Sequence, residues 1–372
     1  MKKYFVMAAL AVSTLTASAQ SVVPKWINNV KLSGFGIVQY TYNGQENNES
    51  NSFNLRLARL ALDGRAFDDW YWKAQIQFNG NTSTLGSSPK LVDLFIEWQK
   101  YDFLRVKAGQ FKNPFTYENP MHPIDQGFMS YSQVISKFAG FSDRAGAHSS
   151  NGRDIGVQLQ GDFLKNASGR NLIHYQVGVF NGQGINVKDV DQQKNIIGGA
   201  WVMPVEGMRL GAFGWIGSYA RKGTSASEGI TNTRLRPVQQ RRYAFSAEYK
   251  VDDWTFRSEY VHSTGYAFAK AMVNTNDASA KDITLSSNGD KSQGVYALVI
   301  APIIKKKCHA KARYDMYQPS KGAEKQRTQY EIGLDYYFNK NICLTGEYAY
   351  IHDRALADPN YSMIDVELSY RF

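Results

Sequence analysis

The stretch Trp70-Tyr71-Trp72-Lys73-Ala74-Gln75-Ile76-Gln77-Phe78-Asn79 decides the fold. Trp70, Trp72, Ala74, Ile76 and Phe78 are apolar, and the residues between them are mostly polar. Side chains alternate across a strand, so this segment has one greasy face and one wet face. Its length, about 10 residues, is what a tilted strand needs to cross a bilayer.

The same period returns along the chain. Val92, Leu94, Ile96 and Trp98 alternate with Asp93, Phe95, Glu97 and Gln99. Ile155, Val157, Leu159, Gly161 and Phe163 do so with Asp154, Gly156, Gln158 and Gln160. Further runs begin near Tyr243, Tyr330 and Ile342. A soluble sandwich also alternates, with its apolar face inward. Here aromatics crowd the strand ends, as membrane-interface girdles require. Tight links such as Asp68-Asp69, Tyr101-Asp102, Asp252-Asp253 and Asn339-Lys340-Asn341 alternate with long polar stretches at 43–52, 80–90, 112–152, 181–194, 221–240, 265–292, 318–327 and 353–360. Short turns at one end and long loops at the other mark an outer-membrane barrel. The expected fold is therefore all-β, a transmembrane antiparallel barrel of about 16 strands, wide enough for a water-filled channel.

Expected strand starts are 31, 53, 70, 91, 103, 154, 172, 196, 208, 242, 254, 293, 308, 328, 342 and 361. Leu55 and Leu57 are out of phase with Leu60 and Leu62, which suggests a bulge. The last strand sets Ile364, Val366, Leu368, Tyr370 and Phe372 against Asp365, Glu367, Ser369 and Arg371. No stretch after residue 19 reaches 18 apolar residues, so helical spans are not expected.

Met1-Lys2-Lys3, the apolar run Tyr4 to Leu15 and Ala17-Ser18-Ala19 have the layout of a secretory signal cleaved after Ala19. Its removal takes Lys2 and Lys3 and lowers the formal charge from +10 to +8. Residues 20–372 show no linker and read as one barrel domain. The destination is the outer membrane of a Gram-negative bacterium. Cys308 and Cys343 fall on nonadjacent strands and opposite faces, which argues against a disulfide.

If the apolar face meets lipid, the other face lines a pore. Lys73, Arg105 and Lys107 fall on it, with Arg56 and Arg59 close by. Rings of fixed cations favour anions by raising their local concentration. The bland alternative is that these cations pair with Asp93, Glu97 and Asp154. The polar face of the C-terminal half is mixed: Glu248, Glu259, Glu331, Asp335, Glu347, Asp365 and Glu367 beside Arg242, Lys250, Arg257, Lys311 and Arg313. Long loops can fold inward and narrow the lumen. The loop at about 112–152 is expected to do so, with Lys112, Lys137 and Arg144 facing permeant anions; a solvated surface loop is the alternative.

Arg105-Val106-Lys107-Ala108-Gly109-Gln110-Phe111-Lys112-Asn113-Pro114-Phe115 resembles the strand-to-loop signature of the phosphate-selective porin O and P family. Leu91 to Trp98, Phe53 to Gly64 and Gly178-Val179-Phe180-Asn181-Gly182 resemble further strands of that family, in the same order. The resemblance implies a 16-stranded barrel, often trimeric, that passes anions such as phosphate or polyphosphate. The chain departs from the pattern where Arg56 is followed by Leu57 rather than a second arginine.

Three rivals differ in class. An enzyme needs a nucleophile with an oriented base. His122, His148, His174, His262, His309 and His352 are scattered, and His262 beside Ser263 is a weak pairing. An anchoring or adhesive barrel would conduct nothing. A porin for sugars or organic acids would stack aromatics, for which Tyr71, Phe95 and Tyr337 are candidates. The partners expected are outer-membrane lipid, small anionic solutes and further copies of the chain in a trimer. Neither nucleic acid, metal nor cofactor is expected.

Overall fold

The computed structural model describes residues 24, 26–79, 89–143, 146–147, 151–222, 229–231, 235–266 and 291–372. The segment expected to be a signal, residues 1–19, lies outside them, as do Arg144 and His148.

Sixteen antiparallel strands close into one barrel, each paired with its sequence neighbours and the first with the last. They are β1 (Ile27–Asn43), β2 (Ser50–Ala66), β3 (Trp70–Gln77), β4 (Lys90–Tyr101), β5 (Leu104–Lys112), β6 (Arg153–Lys165), β7 (Asn171–Phe180) and β8 (Asn195–Val202). There follow β9 (Met208–Lys222), β10 (Leu235–Val251), β11 (Trp254–Gly265), β12 (Lys291–Ile304), β13 (Cys308–Gln318), β14 (Arg327–Asn339), β15 (Ile342–Asp353) and β16 (Asn360–Arg371). No helix among the described residues is long and apolar enough to cross a membrane.

Polarity is inverted relative to a soluble protein. On β14, Ile332 is 61% exposed on the outside while its neighbour Glu331, facing inward, is 4% exposed. Such a surface is stable only against lipid, and closure leaves no unpaired strand edge there. Trp254 and Phe256 stack near the short-turn end, 5.7 Å apart, where an interfacial girdle belongs. Asp68 and Asp252 occupy the left-handed region at φ 61° and 50°, which explains why two short turns share Asp-Asp.

The bulge expected from the phase of Leu55 and Leu57 is present, and one strand start goes beyond the sequence pattern. Ile37 pairs with Leu57 and Val38 with Leu55, so Arg56 is the extra residue of a bulge. The phase slip sends Leu57 inside with Phe35 and Ile37 and leaves Leu55 outside. Strand β10 starts at Leu235, seven residues before the expected 242. Its first residues scatter Leu235, Pro237 and Val238 among Arg236, Gln239, Gln240 and Arg241 without a clean alternation, so hydropathy does not mark it. Cys308 and Cys343 are free thiols on β13 and β15, with β14 between them.

Candidate functional site: a loop held across the lumen

The segment after β5 does not stay at the rim. Its two ends are pinched together: the Asn113 amide donates to the Gly152 carbonyl (2.8 Å), and Asn119 Nδ2 donates to both the Asn113 and Gly152 carbonyls. The family-like block Gly109-Gln110-Phe111-Lys112 builds this neck. Gly109 has φ +132°, and a Cβ there would stand 2.2 Å from the Leu94 carbonyl oxygen. Gln110 Nε2 donates to the Leu91 carbonyl, and its Oε1 accepts from the Asn186 amide. Phe111 packs into the interior cluster, and Lys112 Nζ donates to the Met121 carbonyl at 2.5 Å.

From the neck the chain crosses the barrel interior. Glu259 of β11 accepts the amides of Tyr117 (2.7 Å) and Glu118 (2.9 Å). Glu347 of β15 accepts Met129 N, and Asp315 of β13 accepts Gln133 N. Cations do the converse: Arg257 donates to the Gln126 carbonyl, Lys311 to Gly127, Arg313 to Ser130 and Arg242 to Phe138. A short helix, α1 (Gln133–Phe138), is capped by Ser132, whose hydroxyl also donates to Glu118. Apolar packing seals the joint. Phe115 meets Trp215 edge-on at 5.5 Å, and Phe138 meets Tyr317 at 5.6 Å. Nearly every polar residue that reads as mixed lumen lining on β10–β15 thus has a loop or wall partner. The spacing of charges along single strands cannot reveal the loop partners, because those are backbone groups.

The tip of the loop reaches the seam where the barrel closes. His122 caps a 3-10 turn at Pro123–Asp125 and packs edge-on against Phe35 of β1 at 4.3 Å. Asp125 pairs with Arg371 of β16 (2.9 Å), and Ile124 packs on Phe35, Ile37 and Leu57. Burial pushes His122 down to about 4, with Asp125 opposing the shift.

Between the loop and the β2–β6 wall lies a cavity of about 240 Å³. Arg59, Lys73, Lys107 and Lys112 converge on it, joined by Arg153 from the first position of β6. Among the described residues one carboxylate, Asp93, lines it and is held by Arg153 in a two-point ion pair at 2.6 and 3.2 Å. Arg59 donates to Gln77 (2.9 Å) and lies over the Phe35 ring. Lys107 stands 3.6 Å from Glu97 and caps the faces of Phe95 and Phe111. Among the described residues no carboxylate lies within ion-pair distance of Arg59, Lys73 or Lys112.

The other candidates lie elsewhere. The bulge turns Arg56 into a second cavity, of about 450 Å³, beneath the loop tip, where it pairs with Glu367 at 2.6 Å. Arg105 pairs with Asp162 at 2.5 Å. Lys137 sits on α1 over the Tyr317 ring and does not line the cationic cavity. Arg144 lies outside the described residues. Arg153 escapes a strand-by-strand reading because it stands at the loop boundary; its place opposite Lys112 in the β5–β6 ladder is what brings it in. Tyr71 and Phe95 are 6.0 Å apart on one wall, whereas Tyr337 lines the second cavity beside His309. Those three aromatics form no common track.

Residues 33–191 match the model of the phosphate-selective porin O and P family. That stretch runs from β1 through the inward loop to the segment before β8. No curated protein sequence matches the chain. Solved structures match over the whole barrel. An anion-selective porin from Comamonas acidovorans has a TM-score of 0.63 at 13% identity, over 92% of this chain and 99% of that one. The outer-membrane channel DcaP of Acinetobacter baumannii gives 0.61 at 14%, over 92% and 97%. A loop-deletion variant of OmpT, an outer-membrane protein of Vibrio cholerae, gives 0.62 at 12%, over 92% and 99%. At such identities the likeness is one of fold. Over residues 33–191, neck and inward loop included, this chain matches the phosphate-selective porin O and P family, on the closed 16-strand barrel of the outer-membrane porins.

Proposed function

We propose that this protein is an outer-membrane porin of a Gram-negative bacterium, a water-filled channel for passive diffusion of small anions such as phosphate or polyphosphate. One observation carries the anion preference: among the described residues, Arg59 and Lys73 line the cavity beside the loop with no carboxylate of their own, while Lys112 closes it from the neck through the Met121 carbonyl. Asp93, the one acid there, is already taken by Arg153. Uncompensated fixed charge in a narrow wet passage concentrates counter-ions and repels co-ions. The family match supports the same choice of solute. Association into trimers and export by the segment 1–19 belong to this proposal.

The test is the reversal potential of the purified protein in a planar bilayer across a KCl gradient, with and without phosphate. A potential favouring chloride, with current reduced by added phosphate, supports the reading. A cation-preferring or unselective pore overturns the anion assignment. A folded protein with no conductance overturns the channel.

A further inference from the structure

The cavity beside the loop has two unlike sides. Among the described residues its cations all come from the barrel wall: Arg59 on β2, Lys73 on β3, Lys107 and Lys112 on β5, and Arg153 on β6. The loop side is largely carbon. Pro120, Met121 and Pro123 line it, beside His122. The two prolines have no amide hydrogen to offer an anion. The Met121 amide donates to the Glu118 carbonyl (3.0 Å), and the Met121 carbonyl accepts from Lys112. The His122 ring is neutral, because burial holds its pKa at about 4, and its Nδ1 accepts the Ile124 amide. On the wall, Phe95 and Phe111 meet edge to face at 5.9 Å and add aromatic carbon beside the Lys107 ammonium, which lies 5.0 and 5.2 Å from the two ring centroids.

An inorganic oxyanion carries charge on every side, and each side that meets carbon loses water at a cost. Such an ion would give up hydration towards Met121 and the prolines with little to replace it. An anion with one charged end and an apolar body suits both sides at once. Arg59 and Lys73 answer the charged end, since no carboxylate among the described residues pairs with them. Met121 and Phe95 answer the body. At about 240 Å³ the cavity falls short of the roughly 300–1,000 Å³ of pockets that take drug-sized ligands, which limits the body to the order of one ring.

We infer that this cavity favours small organic anions with a flat apolar body, of the aromatic carboxylate kind, over inorganic anions. The inference rests on the anion-channel reading above and names the class of solute that the same site retains. A half-covered phenyl ring should be held roughly tenfold more strongly than a methyl group in its place. The test is the chloride current of the folded full chain in a planar bilayer at neutral pH, titrated separately with benzoate, acetate, inorganic phosphate and benzamide. Benzoate should halve the current at a concentration roughly tenfold lower than acetate, and lower than phosphate. Benzamide, the same ring without the charge, should leave the current unchanged over that range. Met121→Gln should bring the benzoate value to within about twofold of the acetate value, whereas Met121→Leu, which keeps the carbon, should preserve the difference. Heat-modifiable migration on gels verifies folding of each variant, and the comparison of the four solutes on the unaltered chain needs no variant. Equal block by benzoate and acetate, stronger block by phosphate than by benzoate, block by benzamide, or an undiminished benzoate preference in Met121→Gln would each overturn the inference. The reversal potential in KCl alone separates the two failures. A chloride-selective pore that treats benzoate and acetate alike sinks this inference and leaves the anion channel standing; a cation-selective pore sinks both.

Discussion

Single side chains set the field beside the loop. A unit charge about 5 Å from a permeating anion contributes about 0.8 kcal/mol at water-like dielectric, roughly a fourfold effect. Lys73→Ala should therefore lower the chloride-to-potassium permeability ratio severalfold, measured as a shift in reversal potential; Lys137→Ala should leave it nearly unchanged. Arg153 has a different job. It is 2% exposed against an Asp93 of 6%, so Arg153→Ala strands a buried carboxylate and should cost about 3–5 kcal/mol locally. A lower temperature of gel-shift unfolding, rescued by adding Asp93→Asn, would verify it. His122 is held neutral by burial. Its folded value, about 4, lies below the unfolded 6.5, so the folded form is disfavoured progressively as pH falls below 6.5, with the loss complete once pH is below about 4. Acidification from pH 7 to 4 should increase current noise from the loop tip. His122→Gln, which keeps a side-chain acceptor, should remove the part of that change that titrates in this window.

At the scale of elements, the inward loop is attached mostly through its own backbone. Glu259, Asp315 and Glu347 accept its amides, and Arg242, Arg257, Lys311 and Arg313 donate to its carbonyls. Losing an acceptor leaves buried N–H groups unmet at about 1–3 kcal/mol each. Glu259→Ala should thus loosen the crossing segment at Tyr117 and Glu118, raising mean conductance and flicker in single-channel records. Asp125→Asn should do much less, because that pair with Arg371 is about half exposed on both sides and such pairs contribute about 0–1 kcal/mol. Deleting residues 120–139 should enlarge conductance and weaken selectivity together, since it removes one wall of the cationic cavity.

For the whole molecule, closure depends on β1 meeting β16 from Phe35–Arg371 to Asn43–Met363, with Gly34 and Phe372 exchanging a final pair of backbone bonds. The loop tip touches both sides of this seam through Phe35 and Arg371. Removing Tyr370 to Phe372 should lower the yield of heat-modifiable, folded barrel, and the defect should exceed that of Asp125→Asn, because it takes ladder bonds as well as the tip contact.

The sequence by itself determined the barrel, its strand number and the sidedness of nearly every strand. Each is a period-two property, and lipid outside with water inside forces that period on the chain. It also marked Lys73 and Lys107 as inward residues, since both lie in unbroken alternation. Only the tertiary structure decided the rest. Which residue the expected bulge leaves over, Arg56, turns on its ladder partners in β1, and charges of β10–β15 are spent on a loop about one hundred to more than two hundred residues distant along the chain. Alternation reports which face a residue is on. It carries no information about what crosses the lumen to meet that face, because backbone amides and carbonyls have no signature in the amino-acid code.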